Sequence, residues 1–194
     1  MAKDLLLITP PFTQLNTPYP ATAYLKGFLN TKGISAFQMD LGIEVILELF
    51  SKSGLQEIFD LAFEKNSICS DNGHRIYALK EEYLKTIDSV ITFLQGGNTT
   101  FARQICTPNF LPQAARFDQL DDLEWAFGTM GNQDRAKHLA TLYLEDLSDF
   151  IVECIDDNFG FSRYAERLGR SANSFDELYG HLQNKITYSS FAGL

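Results

Sequence analysis

The chain is poor in the residues that usually mark a site. Its three cysteines, Cys69, Cys106 and Cys154, are far apart and odd in number. No CxxC spacing occurs, which argues against a zinc site and against a disulfide framework and fits buried free thiols in a reducing cytosol. The three histidines, His74, His138 and His181, belong to no HExxH or HxH pattern and have no carboxylate at metal-triad spacing. Solvated histidines are the expectation. The first loop, Pro10 to Pro20, contains no glycine, so both the GxGxxG and the P-loop phosphate cradles fail. No GxSxG is present, and hydrolase chemistry gets little weight. No apolar run approaches a membrane span, and the four-residue run after Met1 is too short for a signal peptide. Positive charge is scarce too. The net charge is −9, and such a chain repels phosphate backbones, so nucleic acid is excluded as a partner and no membrane partner is expected.

What is present is a near-normal hydrophobic fraction of 45%, with sixteen phenylalanines and eight tyrosines. That suits one domain, or a small domain with a large insertion. The charge is uneven. Up to Ser51, Lys3, Lys26 and Lys32 face Asp4, Asp40, Glu44 and Glu48, a sum of −1, so −8 lies in the remainder.

The organising stretch is Leu5 to Ser51. Leu5-Leu6-Leu7-Ile8 is an unbroken apolar run, the pattern of a strand buried on both faces of a parallel sheet. Thr9-Pro10-Pro11 stops it, because proline cannot donate to a ladder. Pro18 and Pro20 pre-set the first turn of a helix. Ala21, Tyr24, Leu25, Phe28 and Leu29 give that helix one apolar face. Gly33 fits the left-handed position that ends helices, and Ile34 to Met39 reads as a second strand ending at Asp40. The result is one right-handed, Rossmann-like βαβ unit. Its strand ends, Thr9 to Phe12 and Asp40 to Gly42, are where open α/β sheets take ligands. From the residues alone, the prolines shape a turn and Asp40 caps the next helix.

Helical periodicity follows. Ile43, Ile46, Leu47 and Phe50 form a short face that Ser51 to Gly54 breaks. Leu55, Ile58, Phe59, Ala62 and Phe63 form the next. One long helix is expected from about His74 to Leu94, ended by Gly96-Gly97. Asn98 to Gln119 is irregular, with Pro108 and Pro112 forbidding one continuous helix; it reads as a packed connection, or as a lid over the strand ends. A short helix is expected over Asp118 to Gly128, which puts Asp121-Asp122 in its first turn. The longest helix, about Asn132 to Asp157, buries Ala136, Leu139, Ala140, Tyr143, Leu147, Phe150, Ile151 and Cys154. Asp156-Asp157 would then close its last turn. Ser162 to Leu168 reads as a further short helix. Ser174 caps a last helix, with Glu177 at the capping-box position. The fold expectation is an α/β N-terminus, a partial Rossmann-like βαβ unit over 1–51, followed by a mostly α-helical region over 52–194.

The pattern PPF, a polar spacer, PYPxxxYLxxxL, a glycine and a strand ending in aspartate is carried by Pro10, Pro11, Phe12, Pro18, Tyr19, Pro20, Tyr24, Leu25, Leu29, Gly33 and Asp40. It resembles the N-terminal segment of radical S-adenosylmethionine proteins with a cobalamin-binding-type domain, of the kind labelled as related to the magnesium-protoporphyrin ester oxidative cyclase. The resemblance implies cobalamin near Thr9, Pro10, Pro11, Phe12, Tyr19, Asp40 and Gly42, with Phe12 and Tyr19 as an apolar wall. It implies S-adenosylmethionine and a [4Fe–4S] cluster only in a downstream radical S-adenosylmethionine domain. The chain lacks the DxHxxG motif of histidine-ligated cobalamin and the CxxxCxxC motif of the cluster, so it should not be active alone. The expected partners are that downstream domain and a second copy of the chain; the expected location is cytoplasmic. The competing expectation is a helical interaction or substrate-gating module with no cofactor of its own.

Overall fold

The structure, a computed structural model, describes residues 5–9, 20–122, 131–157, 159–161 and 179, and for 119–122 the backbone only. The protein is mostly helical, with a short parallel two-stranded sheet at the N-terminus. The chain divides into two compact units, residues 1–48 with 158–194, and residues 49–157.

In the first unit, β1 (Leu5–Thr9) and β2 (Ala36–Asp40) pair in parallel, joined by α1 (Pro20–Thr31). Gly33 takes φ +70° after α1, the left-handed turn that only glycine adopts without strain. Leu5 to Thr9 pair in unbroken register with Ala36 to Asp40. Side chains alternate across a strand, so Leu6, Ile8, Phe37 and Met39 share one face. That face is uncovered: Leu6 is 52% and Phe37 56% exposed. The expectation of a strand buried on both faces is therefore corrected. The strand is parallel, but one connecting helix covers only one face of a sheet. No residue of α1 is buried, and the apolar face built on Tyr24, Leu25 and Phe28 is open. α2 (Leu41–Leu49) follows β2 directly.

The second unit holds the core. Its helices are α3 (Lys52–Glu64), α4 (Asp71–Ala78), α5 (Lys80–Leu94), the short α6 (Ala102–Ile105) and α7 (Asn132–Cys154), with 3-10 turns at Thr99–Phe101 and Ala115–Asp122. Apart from Ala36 and Phe159, every buried hydrophobic residue among those described lies between Leu49 and Ile155. Phe59 packs its ring 5.1 Å from Phe150, 6.0 Å from Tyr77 and 6.5 Å from Tyr83. All eight residues expected on the inner face of α7 are buried.

Three expectations are corrected here. The single helix from His74 to Leu94 is two, divided at Leu79 (φ −94°, ψ 14°). Ile76 and Tyr83 are seven residues apart and both fully buried, so the apolar period runs unchanged through the bend, and no proline or glycine signals it. The 3-10 turn starts at Ala115, placing 121–122 at its end rather than in a first turn; residues 123–130 lie outside the described residues. α7 ends at Cys154, so Asp156-Asp157 lie beyond it. There the negative helix end no longer meets two carboxylates in its last turn. Phe63 is two-thirds exposed, stacked on Tyr77 at 6.1 Å. The expected helices at Ser162 to Leu168 and after Ser174 lie outside the described residues.

Candidate functional site

The strand ends come first, because open α/β sheets bind ligands there. Thr9 and Asp40 are the last register pair of the sheet. Thr9 is buried and Asp40 half-buried. The Asp40 carboxylate accepts the Gly42 N–H at 3.0 Å and the Ile43 N–H at 3.4 Å through the same oxygen. This is an N-cap: an acceptor one residue before the helix satisfies donors that the helix leaves open. It also occupies the N–H groups that a phosphate or carboxylate ligand would otherwise use. Gly42 is buried in that turn. The structure thus brings together Thr9, Asp40 and Gly42. Pro10, Pro11, Phe12 and Tyr19 lie outside the described residues.

The helical unit contains charged groups that periodicity alone did not single out. Asp146 on α7 is fully buried. Its two oxygens accept the Ala114 N–H at 2.9 Å and the Arg116 N–H at 3.0 Å, pinning the segment after Pro112 to the helix. Burial pushes its carboxyl above the usual range; the two N–H groups pull the other way, the nearby Asp149 adds to the rise and Arg75 opposes it. Arg116 grips Asp149 with two bonds of 2.7 and 2.8 Å. Arg75 meets Asp118 at 3.0 Å.

Glu153 does similar work in the last turn of α7. One oxygen accepts the N–H groups of Cys69 and Ser70, both at 2.8 Å, and the other accepts the Ser70 hydroxyl. Ser70 Oγ in turn accepts the Gly73 N–H at 2.8 Å and caps α4. Burial alone would raise the Glu153 carboxyl. The bonds from Ser70 and Cys69, with His74 nearby, outweigh it and hold the carboxyl below the usual range. A Cβ on Gly73 would lie 2.6 Å from the Glu153 carboxylate, so the glycine is what lets the carboxylate reach the cap.

A third polar group is buried among aromatics. Tyr143 donates to the Tyr83 carbonyl at 3.1 Å and lies 3.0 Å from Thr86 Oγ1. Burial raises the pKa of both tyrosines well above the ordinary value. The Tyr83 hydroxyl has no hydrogen-bond partner among the described residues. Cys154 is buried, its thiol pushed up to about 11 chiefly by burial, and donates to the Ser67 carbonyl. That is an inert structural thiol rather than a nucleophile.

These groups clamp loops to helices. A shared signal exists for two of them: Asp146 is three residues after Tyr143, and Glu153 three after Phe150. Both are carboxylates written onto the apolar stripe of α7, where only a bonded carboxylate is tolerated. Nothing in the sequence pairs them with their loop donors. Among the described residues no group of three histidines, cysteines, aspartates or glutamates could hold a metal ion. His74 Nδ1 lies 2.8 Å from the Ser70 carbonyl, within its own helix start, and His181 lies outside the described residues. No described helix is long and apolar enough to cross a membrane. No family model, no curated protein and no solved structure matches the chain.

Proposed function

We propose that this chain is the N-terminal cobalamin-binding-type segment of a radical S-adenosylmethionine iron–sulfur enzyme, positioning cofactor or substrate for a catalytic domain it does not itself contain. One observation carries the reading: a parallel βαβ unit ends both strands on one edge, Thr9 beside Asp40, with a helix N-terminus directly after. Cobalamin would lie against that edge, between the Pro10 to Tyr19 loop and the Asp40–Gly42 turn. The described residues fit part of that role. They supply a strand-end platform and a helix start that Asp40 already caps. The described residues supply no imidazole at that edge. When bound, cobalamin would supply a cobalt centre able to carry a one-carbon group. S-adenosylmethionine and the [4Fe–4S] cluster belong to the downstream domain, which is also the first partner, and the reading places the protein in the cytoplasm. A two-strand platform gives a large ligand few contacts against several kcal/mol of lost freedom. Hydroxocobalamin titrated into this chain should therefore bind weakly, without a histidine-ligated visible spectrum, and the reading frame of the complete gene should encode a CxxxCxxC downstream. Tight binding with a histidine-ligated spectrum, or a complete frame without that motif, overturns the reading.

A second reading is favoured by a different observation. Among the described residues the buried side chains concentrate in 49–157, which suits a helical interaction or substrate-gating module with the βαβ unit as scaffold. Cobalamin absorbance of the complete gene product separates the two.

A further inference from the structure

A small cavity in the helical unit has walls that carry unused polar groups. It lies between α5 and the 3-10 turn at Thr99–Phe101, has a volume of about 180 Å³, and is lined by Asp88, Ser89, Thr92, Asn98 and Phe101. Four of these side chains are held by a bond or a ring contact. One Asp88 oxygen accepts the Lys52 N–H at 2.9 Å. Thr92 Oγ1 donates to the Asp88 carbonyl at 2.7 Å. Asn98 Oδ1 accepts the Thr100 hydroxyl at 2.8 Å. The Phe101 ring meets the Phe110 ring edge to face at 5.5 Å. The charge left over is of one sign. Among the described residues Asp88 has no ion-pair partner: neither Lys85, three positions before it, nor Lys52, whose backbone it holds, pairs with it. No basic side chain lines the cavity. α5 ends at Leu94, two residues after Thr92, and a helix C-terminus carries partial negative charge.

We propose that this cavity binds an alkylammonium group, with Asp88 as its counter-ion and the Phe101 ring against its charge and carbon chain. The other ligand classes fit worse. An anion would be repelled by Asp88. A metal ion would find one carboxylate and no further anionic or imidazole ligand on the wall. A neutral ligand would shield the carboxylate from water without pairing it. An ammonium brings a positive charge and three donors. The wall offers acceptors for them in the Asp88 carboxylate, the Ser89 hydroxyl and the second lone pair of Asn98 Oδ1. An aromatic ring adds a cation–π attraction that only a cation collects. The volume is below the roughly 300–1,000 Å³ of sites for drug-sized ligands, so the group has few heavy atoms. Asp88, Ser89, Thr92 and Asn98 are exposed, which screens the ion pair and keeps the affinity in the millimolar range. A free amine and a lysine side chain share this chemistry. The inference rests on neither reading of the βαβ unit.

Amide chemical shifts of the intact chain, followed while n-butylammonium is added to about 50 mM, test it. The amides of Ser89, Thr92, Asn98 and Phe101 should move and saturate, with a dissociation constant on the order of 10 mM. Butanol and butyrate, of similar size but neutral and negative, should not reproduce the shifts. Asp88→Asn keeps an acceptor for the Lys52 N–H, so the fold should survive, and it should weaken binding about three- to tenfold. Phe101→Leu should weaken it about two- to fivefold. Asp60→Asn, which removes a carboxylate outside the cavity, should leave it unchanged. Nα-acetyl-lysine methylamide separates the two sources. If it binds as butylammonium does, the group can be a lysine side chain; if butylammonium alone binds, it is a free amine; both outcomes uphold the proposal. No saturable shift with butylammonium, equal binding of butanol, or an Asp88→Asn variant that binds as the parent does overturns it.

Discussion

The two units solve the same problem to different degrees. In 49–157 the apolar stripes of α3, α5 and α7 meet one another, and Leu55, Phe59, Ile87, Tyr143 and Phe150 lose all contact with solvent. In the first unit the stripes are just as regular in sequence but stay largely exposed. Phe28 and Tyr24 obey helical spacing as well as Phe150 does, yet remain open. Periodicity therefore specifies which face of a helix is apolar, and tertiary structure alone decides whether that face is buried. A helix pair can cover itself, whereas a parallel sheet needs layers on both faces.

The largest expected contrast follows. Phe150→Ala should cost about 3–5 kcal/mol, the range for truncating a fully buried aromatic, while Phe28→Ala should cost under about 0.5 kcal/mol. Chemical denaturation of both variants checks this; equal losses would erase the contrast between the units. Next in size is Asp146→Ala, which strands the buried Ala114 N–H and the part-buried Arg116 N–H. It should cost about 2–3 kcal/mol, with Asp146→Asn, which retains one acceptor, costing less. Gly73→Ala should cost about 1–2 kcal/mol by pushing the Glu153 carboxylate off the α4 cap, and Glu153→Ala on top of it should then add little.

The smallest effect is the pH dependence, and the two carboxylates pull in opposite directions. Glu153 has a lowered pKa in the folded state. Its contribution is present above the ordinary glutamate value, about 4.3, and is lost as pH falls through the folded value. Asp146 has a raised pKa, so its contribution is present below the ordinary aspartate value, about 3.9, and is lost as pH rises through the folded value. Glu153→Gln should therefore flatten the loss of stability on the acid side, and Asp146→Asn should flatten the loss on raising pH from the aspartate range. Urea melts across that range read both slopes.

Much of the fold was legible. The βαβ unit, the Gly33 turn, the Asp40 cap and the inner face of α7 follow from spacing, turn chemistry and capping, all local properties. The bend at Leu79 was not legible, because Ile76 and Tyr83 keep a seven-residue spacing with or without it. The exposure of β1 was not legible either, since Leu5 to Ile8 would read the same within a sheet covered on both faces. At the candidate site, the partners of Asp40 lie two and three residues away and could be read. The partners of Asp146 and Glu153 lie about 30 and 83 residues away, beyond any local rule.

Native-state hydrogen exchange on the intact chain tests the central contrast most directly. The amides of α3, α5 and α7 should exchange only through global unfolding, while those of β1, α1 and β2 open at far lower free energy. Protection of the Leu6, Ile8 and Phe37 amides equal to that of Tyr143 and Leu147 would contradict the account.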